Sequence, residues 1–298
     1  MFALMSRRRL LATAIALAAT LPLANALAAP FESSRIMVRT EGAGPDVVLI
    51  PGLNSSPRTW ATTVAALPGY RYHLVQVSGF AGQPSAGNKT GTVAAPVAEE
   101  IARYIKETGI KPAVVGHSMG GIIGMMLASR HPDALSRLMV VDIFPYMGML
   151  FAGPAATPEQ VAQVADRIEA GMRAATPEER VKRATDTIAG YVDTPAMRPV
   201  GVEDSLKSDP DVTARAYREL IVTNLIPELS RISVPVTVLY VQPKTVPIPA
   251  AQFDAAYKGA YAAVKQLTLK RVEDSAHFIM WDQPQRFQAE LNGFLQQK

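Results

Sequence analysis

The sequence predicts an α/β protein: a mostly parallel central sheet flanked by helices, with a helical insertion. Three observations predict it. Short apolar runs alternate with stretches of helical length, the pattern of a parallel sheet. Several of those runs, such as Val47-Val48-Leu49-Ile50, are apolar without alternation, as strands buried on both faces must be. The alternation then stops from Ile143 to about Ile232 and resumes afterwards.

Taken in order, Ser34 to Arg39 opens the strands and ends in the turn cluster Glu41 to Asp46. The Val47 strand runs into the loop Pro51-Gly52-Leu53-Asn54-Ser55-Ser56-Pro57, and Arg58 to Leu67 can form a helix. Tyr72 to Val77 is a second apolar strand, and Thr92 to Thr108 has helical periodicity. Ala113-Val114-Val115 is a strand, followed by Gly116-His117-Ser118-Met119-Gly120-Gly121 and a helix that ends in Arg130-His131-Pro132. Leu138 to Val141 is a strand closed by Asp142. Thr157-Pro158-Glu159 and Thr176-Pro177-Glu178-Glu179 are helix starts, with threonine as N-cap and proline in the first turn. After the insertion come a strand at Pro235 to Tyr240, a helix near Ala250 to Lys265, a strand at Leu267 to Val272 and a last helix from Pro284 to Leu295.

The first residues are a separate object. Arg7-Arg8-Arg9 precede an apolar run from Leu10 to Leu21, and Ala24 to Ala29 supplies small residues of the A-x-A kind. This is the pattern of a secretory signal peptide over residues 1–28, leaving a domain at 29–298 with its helical insertion at about 143–232. The run falls short of a membrane span. Ser6-Arg7-Arg8 with Leu10-Leu11 also resembles a twin-arginine export signal, so the expected location is periplasmic or secreted, in a bacterium. The chain of 298 residues carries +4; its first 28 residues hold three arginines and no acid, so the remainder carries +1. No long basic cluster remains, and nucleic-acid binding has little electrostatic support. With no cysteine and four scattered histidines, thiol catalysis and cysteine-bound zinc or iron–sulfur centres are excluded, and no metal or other cofactor is expected.

Gly116-x-Ser118-x-Gly120 lies between a strand and a helix, the context of a nucleophile elbow. Glycine at both positions lets the chain turn sharply and the helix pack against the strand. The helix N-terminus below Ser118 offers free N–H groups to developing negative charge. A serine hydroxyl needs a base to become nucleophilic, and histidine has the matching pKa. His117 adjoins Ser118, but neighbouring side chains in an elbow point apart. His131 ends a helix, and His73 opens a strand. His277 follows the last strand, where a loop can reach across the sheet's carboxyl edge, and is the favoured base.

Together, Ile50-Pro51-Gly52-Leu53-Asn54-Ser55, Gly116 to Gly121 and Ser275-Ala276-His277-Phe278 resemble the α/β-hydrolase fold family, in its lidded serine-esterase form. The similarity spans about Arg35 to Lys298. The resemblance implies a Ser-acid-His triad. It also implies an oxyanion hole from the backbone N–H of Met119 and one from the loop after the third strand, here Leu53. The commoner acid position, in a loop after the strand before the last, reads Tyr240-Val241-Gln242-Pro243-Lys244 and holds no carboxylate. Some members carry the acid one strand earlier, where Asp142 stands; Asp254 is the alternative. Phe144, Tyr146 and Met147 open the insertion and are candidates for an apolar substrate pocket. The expected activity is hydrolysis of a small apolar ester by Ser118, His277 and Asp142, without cofactor. A perhydrolase or acyltransferase with the same triad, and a non-catalytic binding protein, are the alternatives.

Overall fold

The computed structural model describes residues 31–297; the signal sequence expected at residues 1–28 lies outside them. Seven strands form one sheet in the order β1-β3-β2-β4-β5-β6-β7. They are β1 (Ile36–Gly42), β2 (Asp46–Ile50), β3 (Arg71–Val77), β4 (Ala113–His117), β5 (Arg137–Val141), β6 (Val236–Tyr240) and β7 (Leu267–Arg271). All neighbours pair in parallel except β1 with β3, which is antiparallel.

Burial on both faces explains the unbroken apolar runs. Val48, Ile50, Val114, Leu138 and Val140 point into one core; Val47, Leu49, Val115, Met139 and Val141 point into the other. Successive side chains of a strand face opposite ways, so both sets must be apolar. Burying each such side chain contributes about 1.5–3 kcal/mol. Helices cover both faces: α1 (Ala61–Ala66), α2 (Ala94–Thr108), α3 (Met119–Arg130) and, further on, α9 (Ala250–Ala260), α10 (Ile279–Asp282) and α11 (Pro284–Gln296). α3 is buried on every side except at Arg130, which is why its sequence lacks a polar face. α9 ends at Ala260, earlier than the periodicity suggests, where the chain bends to bury Tyr261.

Between β5 and β6 lie α4 (Gly148–Ala152), α5 (Pro158–Arg173), α6 (Pro177–Tyr191), α7 (Arg198–Lys207) and α8 (Pro210–Val222), and no strand among the described residues. Thr157 and Thr176 each form a capping box, with Gln160 and Glu179 returning the bond to the cap N–H. Two carboxylates, the buried Glu219 and the partly exposed Asp282, tie this segment to the sheet-bearing body. Glu219 of α8 accepts from the N–H groups of Val93, Ala94 and Ala95 at 2.6–2.9 Å, capping the start of α2. Asp282 accepts from the N–H groups of Asp193 and Thr194, just past α6, and from that of Ala276.

Candidate active site

The elbow is set by close approach. A Cβ on Gly116 would collide with the Gly120 carbonyl, and one on Gly120 with the Ile50 carbonyl, so only glycine lets α3 pass this near β4 and β2. Neither glycine needs a positive φ. That conformation falls to Ser118, at φ 53° and ψ −119° between β4 and α3. For a residue with a Cβ this is a strained geometry, costing about 1–3 kcal/mol, and such strain persists where the surroundings over-determine it. Here the Ser118 N–H donates to Val141 at 2.9 Å, continuing the β4–β5 ladder, while its carbonyl accepts from Gly121 and Ile122.

Asp142 leaves β5 as Ser118 leaves β4, also at positive φ (52°). Its N–H donates to the Leu239 carbonyl at 2.7 Å, so the sheet fixes its backbone. Its carboxylate is buried and fully engaged. Oδ2 accepts from His277 Nδ1 at 2.6 Å; Oδ1 accepts from the Val241 N–H at 3.0 Å and the Tyr257 hydroxyl at 3.3 Å. Tyr257 is buried, and desolvation, reinforced by the nearby Asp142 charge, holds its hydroxyl well above the usual phenol range, so it stays a donor. The His277 bond to Asp142 uses Nδ1 and leaves Nε2 free to exchange a proton. Ser118 and His277 line one cavity of about 620 Å³, with no hydrogen bond between them.

The loop carrying Leu53 follows β2, not the third strand as the family pattern suggests, because the described chain contributes one strand fewer before it. A Cβ on Gly52 would stand 3.1 Å from His117 Nδ1 and 3.2 Å from Ser118 Cβ, so this loop lies against the elbow. Neither the Leu53 nor the Met119 N–H has a backbone acceptor among the described residues. Thr213 of α8 donates to Asn54 Oδ1 at 2.6 Å and braces the same loop.

The other candidates fall elsewhere. Asp254 binds the Tyr240 hydroxyl at 2.9 Å and Arg271 at 3.0 Å, and has no contact with His277. His73 is buried between Asp46 and Tyr104, and His131 pairs with Glu99. His117 is a brace: its Nε2–H donates to the His277 carbonyl at 3.1 Å, and its ring lies 4.5–4.6 Å from the rings of Phe278 and His277. Burial holds its pKa well below the usual value, so it is neutral. Of the three pocket candidates, Met147 lines the cavity. Phe144 instead packs its ring 4.0 Å from that of Tyr257, and Tyr146 joins the small core of Val161, Ala165 and Ile221. Both turn inward because the start of the insertion must bury its own apolar surface. Tyr191, at the end of α6, lies with its ring 4.6 Å from that of His277. The sequence reading named neither Tyr191 nor Tyr257; the spacing of Phe253, Tyr257 and Tyr261 is the signal that could have marked the inner face of α9.

A strained serine at a helix N-terminus, a carboxylate-bound histidine and the Leu53 loop thus meet at the carboxyl edge of the sheet. The chain belongs to the alpha/beta hydrolase family, whose sequence profile matches residues 47–290. Among curated relatives, it is 33% identical over 128 residues to the pimeloyl-[acyl-carrier protein] methyl ester esterase of Aeromonas hydrophila. That match covers 43% of this chain and 49% of the relative. The chain thus spans about half the length of that relative. With the same enzyme from Vibrio atlanticus it shares 28% identity over 221 residues, 70% of this chain and 80% of the other. The fold matches the enol-lactonase of Burkholderia xenovorans LB400 at a TM-score of 0.70 and 19% identity, over 88% of this chain and 96% of that one.

Proposed function

We propose that this protein is a serine hydrolase acting on an ester, or a related acyl bond, whose reacting part is small and apolar. The observation that carries the reading is the 2.6 Å contact of Asp142 with His277 Nδ1 beside the strained Ser118. His277 Nε2 takes the Ser118 proton as Oγ attacks the carbonyl carbon. The N–H groups of Met119 and Leu53 receive the oxyanion. Collapse of the tetrahedral intermediate expels the alcohol, which takes the proton from His277, and leaves an acyl-Ser118 ester. Water activated by His277 then releases the acid and restores Ser118. Asp142 keeps the imidazole in its working tautomer throughout. The helical segment over the cavity serves as the lid.

The feature favouring a non-catalytic binding protein is the missing carboxylate after β6, and Asp142 supplies that carboxylate from β5 instead. A panel of esters of increasing acyl length tests the reading. The wild type turns over some of them, and Ser118→Ala loses about three or more orders of magnitude in kcat while its circular dichroism is unchanged. Turnover that survives in Ser118→Ala contradicts the covalent route. The export signal belongs to the same proposal: in its native bacterium the mature protein begins at about Ala29 or Pro30. N-terminal sequencing that finds an intact Met1 on a soluble cytoplasmic product contradicts it.

A further inference from the structure

The cavity over Ser118 carries a lopsided charge that hydrolysis of a neutral ester does not need. Its wall contains three arginines, Arg167, Arg180 and Arg183, and no aspartate or glutamate. Elsewhere in the same helical segment, four cations sit beside carboxylates, while Arg198 and Arg215 donate to backbone carbonyls. Arg173 pairs with Glu169 and Asp211, Arg218 with Asp166, Lys182 with Asp186, and Lys207 with Glu203. The three cavity arginines make no such pair among the described residues.

Their placement gives the arrangement a direction. The cavity face of α6 reads Arg180, Arg183, Ala184, Thr187, Ile188 and Tyr191, a spacing of three and four that keeps one side of a helix inward. Tyr191 ends this stripe against His277. At the α-helical rise, Arg183 and Arg180 stand about 12 and 16 Å back along the axis from Tyr191. Ala184 and Ile188 make the stretch between them largely apolar. Arg167 enters the wall from α5, beside Ile168, with Met172 on the same helix.

We infer that the cavity selects esters whose far end, beyond an apolar spacer, carries a carboxylate or phosphate, bound by Arg167, Arg180 and Arg183. The inference rests on the hydrolase reading above and names its substrate class. A guanidinium presents a planar fork of donors that matches two oxygens of either anion. Three cations gathered on one wall that carries no carboxylate gain most from such a group. The arginines are solvent-exposed, so the attraction is open to salt: the screening length falls from about 8 Å at 0.15 M to about 3 Å at 1 M.

The test compares kcat/KM for paired p-nitrophenyl esters. Half-esters of adipic, suberic and sebacic acid are set against the matching monocarboxylic esters, and ω-phosphoryl esters form a second arm. The wild type favours the charged ester by about tenfold or more at low salt, and the arm with the larger ratio assigns the anion. The ratio collapses towards one in 1 M salt and in the triple variant Arg167→Gln/Arg180→Gln/Arg183→Gln. In Arg286→Gln, outside the cavity wall, it keeps its wild-type value. A wild-type ratio of one or less overturns the inference, and so does a ratio that survives the triple substitution. Because the chemistry could fail for its own reasons, calorimetry on Ser118→Ala reads binding alone. Monomethyl suberate binds more tightly than dimethyl suberate, and equal affinities overturn the inference. Failure of hydrolysis with every ester, alongside selective binding of the half-ester, overturns the hydrolase reading instead.

Discussion

At the scale of single residues, the site depends on how each polar atom is satisfied. Asp142 accepts three hydrogen bonds, from His277, the Val241 N–H and Tyr257, so its carboxylate is a fixed partner for the imidazole. Asp142→Asn keeps the shape but lets His277 take the wrong tautomer, and kcat falls by up to about four orders of magnitude. Asp254→Asn stays near the wild type, because Asp254 is committed to Tyr240 and Arg271. Assay of both variants with an activated ester separates them; an inactive Asp254→Asn beside an active Asp142→Asn reverses the assignment. His117 matters differently. It is buried and neutral in the fold, whereas the unfolded chain takes up a proton there below about pH 6.5. The unfolded state therefore binds more protons in the window below that pH, and stability falls with acidification by up to about 1.4 kcal/mol per pH unit. Asp46 works in a lower window: hydrogen-bonded by Arg71, it is held below the usual carboxylate range. Denaturant titrations between pH 7 and 5 should show this loss in the wild type and a flatter limb in His117→Gln. A wild-type stability that is level across that range contradicts the assignment.

At the scale of elements, legibility followed backbone constraint. The elbow, the threonine N-caps at Thr157 and Thr176 and the strands at Val47 and Ala113 were visible because close packing and cap chemistry restrict which residue types can stand there. Asp142 was visible only as one of two acids, because its role depends on β5 lying beside β6, whose Val241 N–H binds it. Pairing across more than ninety residues leaves no local pattern. Phe144 and Tyr146 look like pocket residues in sequence, since an apolar side chain reads the same whether it faces a cavity or a core. The glycine argument is testable on stability alone. Gly120→Ala places a methyl group against the Ile50 and Pro51 carbonyls and should cost more than about 3 kcal/mol, with a correspondingly lower Tm. Gly293→Ala, on α11 with open space around it, should be neutral or stabilising by up to about 1 kcal/mol. Similar Tm values for the two variants would show that the elbow tolerates a side chain.

At the scale of the whole molecule, one edge of one sheet gathers the site. β2 delivers the Leu53 loop, β4 Ser118, β5 Asp142 and β6 the Val241 N–H, while His277 arrives from beyond β7 across two strands. The alternation of strands and helices made this edge legible from the sequence. How α5 and α6 arrange the cavity wall was not, because helix packing over a site depends on side chains distant in sequence, such as Glu219 at the start of α2. The central claim is that this edge activates Ser118 as a nucleophile. Its most direct test is intact-mass and peptide mass spectrometry of the protein after brief exposure to a fluorophosphonate. The account predicts one adduct per chain, on the peptide containing Ser118, lost in Ser118→Ala and strongly slowed in His277→Ala. An unlabelled wild type, or label retained in Ser118→Ala, would contradict it.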